Sequence, residues 1–488
     1  MQIICEFAEE LSYPLSNIIN RSLTHGEYPD LWKIELVTPV PKVFPPNNPS
    51  QLRKISGTKN FSKISEKIIT EFMISDMKEK LDPSQYGNQK GMSVQHYLIK
   101  MLNKILTVLD KKHSDSESIA VILNLVDWRQ AFDRQCPKLG IESFIENGVR
   151  KSLIPVLVNY FQDRVMQVKW HGILSQERSL PGGGPQGCSM GIWEYLSLSS
   201  DSCDFVNPSD RYKWVDDLSL LEIINLVTIG LSSYNFKNHV ASDVGIDQYF
   251  MDPRNLRSQS YLSQISTWTE NKKMKLNEDK TKIMIFNTTD NYQVTTRLTV
   301  NNILLDIISE TDLLGVVISS DLTWRSNTKL LVQRAYKRII LLHKLFEFAV
   351  PEKDLVTIYV LFIRSILEQS CVVWHSAITK EEEGSLERVQ KVCLRVILKQ
   401  EYNNYDDALK RTNLQTLVDR REKLCLNFAL KCTTHEKNKE MFPLNKTNHS
   451  MSSSMRHQEK YEVQFSRTTR LGKSAIPYLQ RLLNQHSK

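Results

Sequence analysis

Apolar and polar positions alternate along the chain with more than one period, and each change of period marks an element. Residues 1–35 read as helix followed by a turn, and IELVTPVPKVFPPNNPS as a short strand that breaks into a proline-rich loop. Phe61, Ile64, Ile68, Ile69, Phe72 and Met73 recur at helical spacing, which predicts a helix over 61–82. A second helix is expected over 93–110, followed by the polar loop KKHSDSES. Residues 119–126 (IAVILNLV) then form a continuous apolar run of strand length that ends at Asp127, the pattern of a strand covered on both faces. Helix is expected around 138–162, then a glycine-rich turn (PGGGPQG) ahead of a helix-like stretch. Residues 212–220 read as a strand interrupted by two acids, 257–275 as helix and KTKIMIFN as strand. After 325 the pattern is almost wholly helical to about 430, and the last 55 residues are polar and weakly patterned, with a serine-rich patch. No internal repeat is present, so an α/β part over roughly 1–320 precedes a helical part.

Composition adds one asymmetry. The 488 residues are 41% hydrophobic and 24% charged, ordinary globular values that allow a packed core. The net charge of +8 is unevenly spread. From Asp321 onward there are 29 Lys/Arg against 18 Asp/Glu, a net of +11, whereas the first 320 residues hold 34 against 37, a net of −3. A basic helical region attracts phosphates, although charge alone also fits a solvated surface. Eight cysteines without a CxxC pair are too sparse for a disulfide scaffold and point to a reducing, intracellular setting. Cys425, Cys432 and His435 fit no common zinc spacing and read as buried thiols beside a surface histidine. The N-terminus lacks a basic start and does not read as a signal peptide. The most apolar long run, 355–374, carries Arg364 and Glu368 and reads as a core helix rather than a membrane span. These signs point to a place inside the cell, with no membrane partner.

Three acids stand where charge is costly. Asp127 ends the apolar strand, and Asp216 and Asp217 interrupt WVDDLSLL. Neighbours on a strand point to opposite faces, but in a hairpin turn both can approach one point. Carboxylates from two adjacent strands could hold hard divalent cations such as Mg²⁺, and two such ions about 3.5–4 Å apart serve phosphoryl transfer. Without their surroundings, a helix cap at Asp127 and a surface turn at Asp216–Asp217 explain the acids equally well.

Those surroundings resemble the reverse transcriptases of non-long-terminal-repeat retrotransposons, in blocks that run in family order over roughly 10–430. LVDWRQAFD is similar to the first palm block, GGGPQGCSMG to the second, WVDD to the third, WTENKKMKLNEDKTKIMIF to the fourth and LLGVVISSDLTW to the fifth. Upstream, GEYPDLWKIELVTPVPK, LRKIS and QYGNQKGMSVQHYL resemble the fingers; downstream, YVLFIRSILEQSCVVWH and LERVQKVCLRVIL resemble the helical region after the palm. The resemblance implies an α+β right-hand polymerase fold: fingers over 1–115, an antiparallel-sheet palm over 116–320, a helical basic thumb over 321–430 and a polar, weakly structured tail over 431–488. It makes Asp127, Asp216 and Asp217 the catalytic acids and metal ligands, for two Mg²⁺ ions that Mn²⁺ could replace. Lys280 would sit by the departing pyrophosphate and Phe132 would gate the sugar. Gln186, between Pro185 and Gly187, would meet the incoming nucleotide or template. Lys42 and Arg53 would meet template or triphosphate, Gln85 and Gly87 match the fingers, and Leu314 and Gly315 centre the primer grip. The implied activity is RNA-directed DNA polymerisation on an RNA template, a DNA primer and dNTPs.

The sequence departs from the family pattern at Trp214 (usually Tyr or Phe), Lys54 (usually proline), Cys188 (usually Ser or Thr) and GIWEYL (usually proline-containing). Only about 35 residues precede the fingers, too few for a nuclease domain, and no Cys/His knuckle follows the palm. A fragment of a longer element, an incomplete product and a host-retained relic all remain open. Two other activities do as well: an inactive relic that binds RNA or duplex without polymerising, and a non-templated nucleotidyltransferase. The sequence sets no oligomeric state.

Overall fold

The computed structural model describes residues 2–111, 119–180, 182–184, 187–226, 247–287, 292–445 and 459–486. Its centre is a five-stranded sheet in the order Asp306–Ile307, Lys282–Asn287, Ile119–Val126, Asp217–Asn225, Arg211–Trp214. Neighbours pair antiparallel except at one edge, where Asp306–Ile307 runs parallel to Lys282–Asn287. The uninterrupted apolar run is explained by cover on both sides. Ala120, Ile122 and Val126 enter one core with the helices Asn60–Met77, Pro137–Glu146, Ser189–Leu198 and Arg257–Asn271. Ile119, Val121 and Leu123 enter a second core with the helix Val94–Asp110 and the helices after 325.

A second sheet joins Leu52–Gly57, Ile34–Pro41, Val165–Trp170 and Ile173–Leu174, with Arg178–Ser179 also pairing Val165–Trp170. Its middle contact is parallel, Ile34 beside Val165 to Val37 beside Val168. The strand after 164 was not visible in the apolar pattern, and the helix expected over 138–162 is two helices, Pro137–Glu146 and Ile154–Phe161. Gly148, at φ 88°, breaks them.

From Arg325 to Thr434 the chain is almost wholly helical, as its periodicity predicts. No single described helix is long and apolar enough to cross a membrane; the pieces Glu352–Leu367 and Cys371–Ala377, which together have the length, are bent by 41°. Arg364 and Glu368 pair within them at 3.3 Å, and Leu367, Cys371 and Trp374 are core residues. The architecture is therefore α+β: a central, mainly antiparallel sheet covered on both faces, a second sheet with its own helices, and a helical region after Arg325.

The tail departs from the expectation of weak structure. Residues 461–483 supply Tyr461, Ala475, Ile476, Leu479, Leu482 and Leu483 to the second core. The amides of Arg467 and Thr468 donate to the two carboxylate oxygens of Asp110 at 2.8 and 2.7 Å, and the Arg467 Nε donates to the Asp110 carbonyl at 2.8 Å. The helix Ala475–His486 is amphipathic, but it is short and follows a serine-rich, polar stretch that dominates the composition.

Candidate active site

Ile119–Val126 and Asp217–Asn225 pair from Ile119–Asn225 to Val126–Leu218. One step past the last pair stand Asp127 and Asp217, at the same end of the sheet. Arg211–Trp214 returns with Trp214 opposite Asp217, so Val215 and Asp216 alone make the hairpin turn. The turn brings Asp216 and Asp217 to the end of the strand that Asp127 terminates.

This turn is strained. Val215 has φ 55°, a left-handed conformation that a β-branched residue rarely adopts. The segment after Asp82 holds it there. Gln85 Oε1 accepts the amides of Val215 at 3.0 Å and Gly87 at 2.8 Å. Tyr86 N–H donates to the Lys213 carbonyl at 2.8 Å, and Lys213 N–H to the Ser84 carbonyl at 3.0 Å. A Cβ on Gly87 would stand 2.7 Å from both Val215 Cγ2 and Val215 N, so only glycine permits the approach. Behind the strand, the buried Asp82 carboxylate pairs with Lys213 at 2.7 Å and Arg211 at 3.1 Å.

The acids act on one another. Burial pushes the Asp217 carboxyl up to about 6, and the charges of Asp216 and Asp127 add to the rise. Asp216 stands at the exposed tip, yet the protein around its carboxyl also raises it. Its own backbone N–H opposes that rise, Asp127 reinforces it and the Arg53 guanidinium pulls it back. Asn277, a residue the motifs did not single out, fixes Asp127: its Nδ2 donates to Asp127 Oδ2 at 2.7 Å and its amide to the Asp127 carbonyl at 2.9 Å. The Asp127 amide in turn donates to Thr281 Oγ1 at 3.3 Å. Among the described residues no three His, Cys, Asp or Glu side chains already converge as a closed cage. The donor set is nonetheless hard oxygen, and its crowded negative charge suits a cation that completes its shell with water and phosphate.

The other expected residues distribute unevenly. Phe132 packs against Tyr195, ring centroids 5.4 Å apart, and its carbonyl accepts the Gly184 amide at 3.0 Å. Arg53 is exposed and close enough to act on Asp216; Lys42 is exposed nearer the tip of the same hairpin. Lys280 is exposed, in the turn that begins at Asn277, and makes no ion pair among the described residues. Pro185 and Gln186 lie outside the described residues. Leu314 and Gly315, φ 54° and 85°, form the tight turn between Glu310–Leu313 and Val316–Ser319, and Gln369 Nε2 donates to the Gly315 carbonyl at 3.2 Å.

The departures from pattern have local roles. Lys54 pairs with Asp133 at 3.3 Å. Cys188 caps the helix Ser189–Leu198 as a hydroxyl would, its Sγ accepting the Gly191 amide at 3.4 Å. Trp214 is half-buried against the second core. Cys425 and Cys432 are buried in that core, which matches the reading of inert thiols.

No family model matches the chain. Over 335 residues it is 25% identical to a probable RNA-directed DNA polymerase from transposon BS of Drosophila melanogaster, covering 67% of this chain and 34% of that protein. The chain therefore resembles a transposon polymerase and spans about a third of that relative's length. Among solved structures, apo telomerase of Candida tropicalis, truncated from the C-terminal domain, superposes with TM-score 0.36 at 13% identity, covering 61% of this chain and 55% of that one. The RNA-dependent RNA polymerase of a human picorbirnavirus superposes with TM-score 0.40 at 10% identity, covering 80% and 64%. Likenesses this faint carry no weight; the fold rests on the strand order and register given above.

Proposed function

We propose that this chain is an RNA-directed DNA polymerase of the non-long-terminal-repeat retrotransposon type, extending a DNA primer along an RNA template with dNTPs. The observation that carries the reading is the end of the central sheet, where the turn at Val215–Asp216 places two carboxylates beside Asp127. Blocks in family order and the transposon relative support it.

Asp127, Asp216 and Asp217 are the residues that would hold two Mg²⁺ ions, or Mn²⁺ in their place. When bound, such ions would lower the pKa of a primer 3′-hydroxyl and neutralise charge on phosphate oxygens. The chain's own part is positional. Asn277 and Thr281 orient Asp127. The Gln85–Gly87 strap fixes the turn that carries Asp216. Arg53 offers a guanidinium fork to a triphosphate, and Lys280 an unpaired ammonium to a departing pyrophosphate. Phe132, braced on Tyr195, disfavours a 2′-hydroxyl by bulk. The basic thumb takes the template–primer duplex by its phosphates, and base pairing supplies sequence choice.

The test uses purified chain, an oligo(dT)-primed poly(A) template, Mg²⁺ and thymidine triphosphate, beside an Asp216→Asn variant. Extension by the parent and at least a hundredfold less by the variant is the expected result. Duplex binding without extension by either protein would replace this reading with that of a binding relic. Primer growth without template would replace it with a non-templated transferase.

A further inference from the structure

Beneath the glycine-rich turn lies a carboxylic acid that the acidic site does not use. Glu194, in the helix Ser189–Leu198, is fully buried, and neither carboxyl oxygen has a hydrogen-bond partner among the described residues. Two glycines make room for it. A Cβ on Gly140 would stand 2.7 Å from Glu194 Oε1, and one on Gly184 would stand 3.1 Å from Oε2. The same Gly184 position lies 1.9 Å from Gln135 Oε1, which is also buried and without a hydrogen-bond partner among the described residues. Three buried acceptor oxygens thus line the space beside Gly140 and Gly184 with no donor among the described residues, an arrangement that is expensive while Glu194 is ionised. A proton on Glu194 resolves it, because the acid then donates to Gln135 Oε1. Burial pushes this carboxyl up to about 8; Arg164, the cation that opposes the rise, is engaged with Glu35 at 2.8 Å.

The partners of this contact lead to the nucleotide side of the site. The Gln135 carbonyl accepts the Gly183 amide at 2.9 Å, and the Phe132 carbonyl accepts the Gly184 amide at 3.0 Å. The Gln135 Nε2 donates to the Gly191 carbonyl at 3.2 Å, which returns the chain of contacts to the Glu194 helix. Tyr195, next to Glu194, carries the Phe132 ring. We propose that Glu194 is a positioning residue, donating a hydrogen bond from its carboxyl to Gln135 and so docking the glycine-rich turn against residues 132–135, where the incoming dNTP is bound. The nucleotide half of this inference rests on the polymerase reading.

The test compares the full chain with Glu194→Gln, which donates at every pH, and Glu194→Leu, which keeps volume without a donor. Hydrogen exchange over the glycine turn, corrected for intrinsic rate, is followed from pH 6 to 9, together with KM and kcat for thymidine triphosphate on primed poly(A). Loss of one such bond corresponds to about tenfold. In the parent, exchange at Gly183–Gly184 and KM should each rise about tenfold between pH 7 and 9, with kcat within about twofold. The glutamine variant should stay flat, and the leucine variant should be high at every pH. If the leucine variant does not fold, the pH profiles of parent and glutamine variant decide alone. Parallel profiles for those two would overturn the proposal, as would altered exchange with unchanged KM in an active enzyme. The expected exchange pattern in a parent that extends no primer would keep the docking contact and overturn the polymerase reading instead.

Discussion

Asp217 shows how a candidate site residue can work against the stability of its own fold. Its carboxyl is pushed from an ordinary value near 3.9 up to about 6 by burial, Asp216 and Asp127. The folded protein therefore holds a proton between roughly pH 4 and 6 that the unfolded chain has released. Stability is fully present below that window and is lost as pH rises through it. Asp217→Asn has no proton to lose. In EDTA it should match the parent at pH 4 and exceed it by about 2 kcal/mol at pH 8, while primer extension disappears. Denaturant unfolding at the two pH values measures this; an equal difference at both would show that the raised acid is not the cause.

At the scale of elements, the candidate site is held by a contact between residues 84–87 and the central-sheet hairpin at Val215. The turn at Val215 keeps a conformation its side chain disfavours because Gln85 Oε1 bonds two amides and Gly87 lies flush against it. Gly87→Ala drives a methyl to 2.7 Å from backbone and side chain of Val215. It should lower stability by about 1–3 kcal/mol and extension at least tenfold, with duplex binding retained. A thermal melt and a gel assay check it, and wild-type extension would rule the strap out. The central strand, the hairpin acids and the helices after 325 were legible because a buried strand, a charged interruption and a 3.6 period each leave a local mark. Asn277 was not: it lies among ordinary polar residues, and only the closure of Lys282–Asn287 onto Ile119–Val126 gives it a role. The strand Val165–Trp170 was hidden because its parallel partner, Ile34–Pro41, lies far away in sequence. Glu194 leaves no local mark either, since nothing along the chain reveals that Gly140 and Gly184 enclose it.

At the scale of the whole molecule, the second core joins the helix Val94–Asp110, strands of the central sheet, the helices after Arg325 and residues 461–483. Asp110 is the polar anchor of that union, receiving the amides of Arg467 and Thr468 and the Thr468 hydroxyl at 2.5 Å. Asp110→Ala leaves these donors without their acceptor and should lower stability by about 3 kcal/mol. Limited proteolysis should then cut within 461–470, whereas the parent is protected there; equal cleavage of both would show that the anchor is dispensable. The same anchor bears on synthesis at the ribosome. The helix it ends, Val94–Asp110, lies against the central sheet, yet the residues that meet Asp110 follow 357 and 358 positions later. That contact cannot form until residue 468 has been made, so during synthesis the helix ending at Asp110 stands without its cap partners while the whole central sheet is laid down.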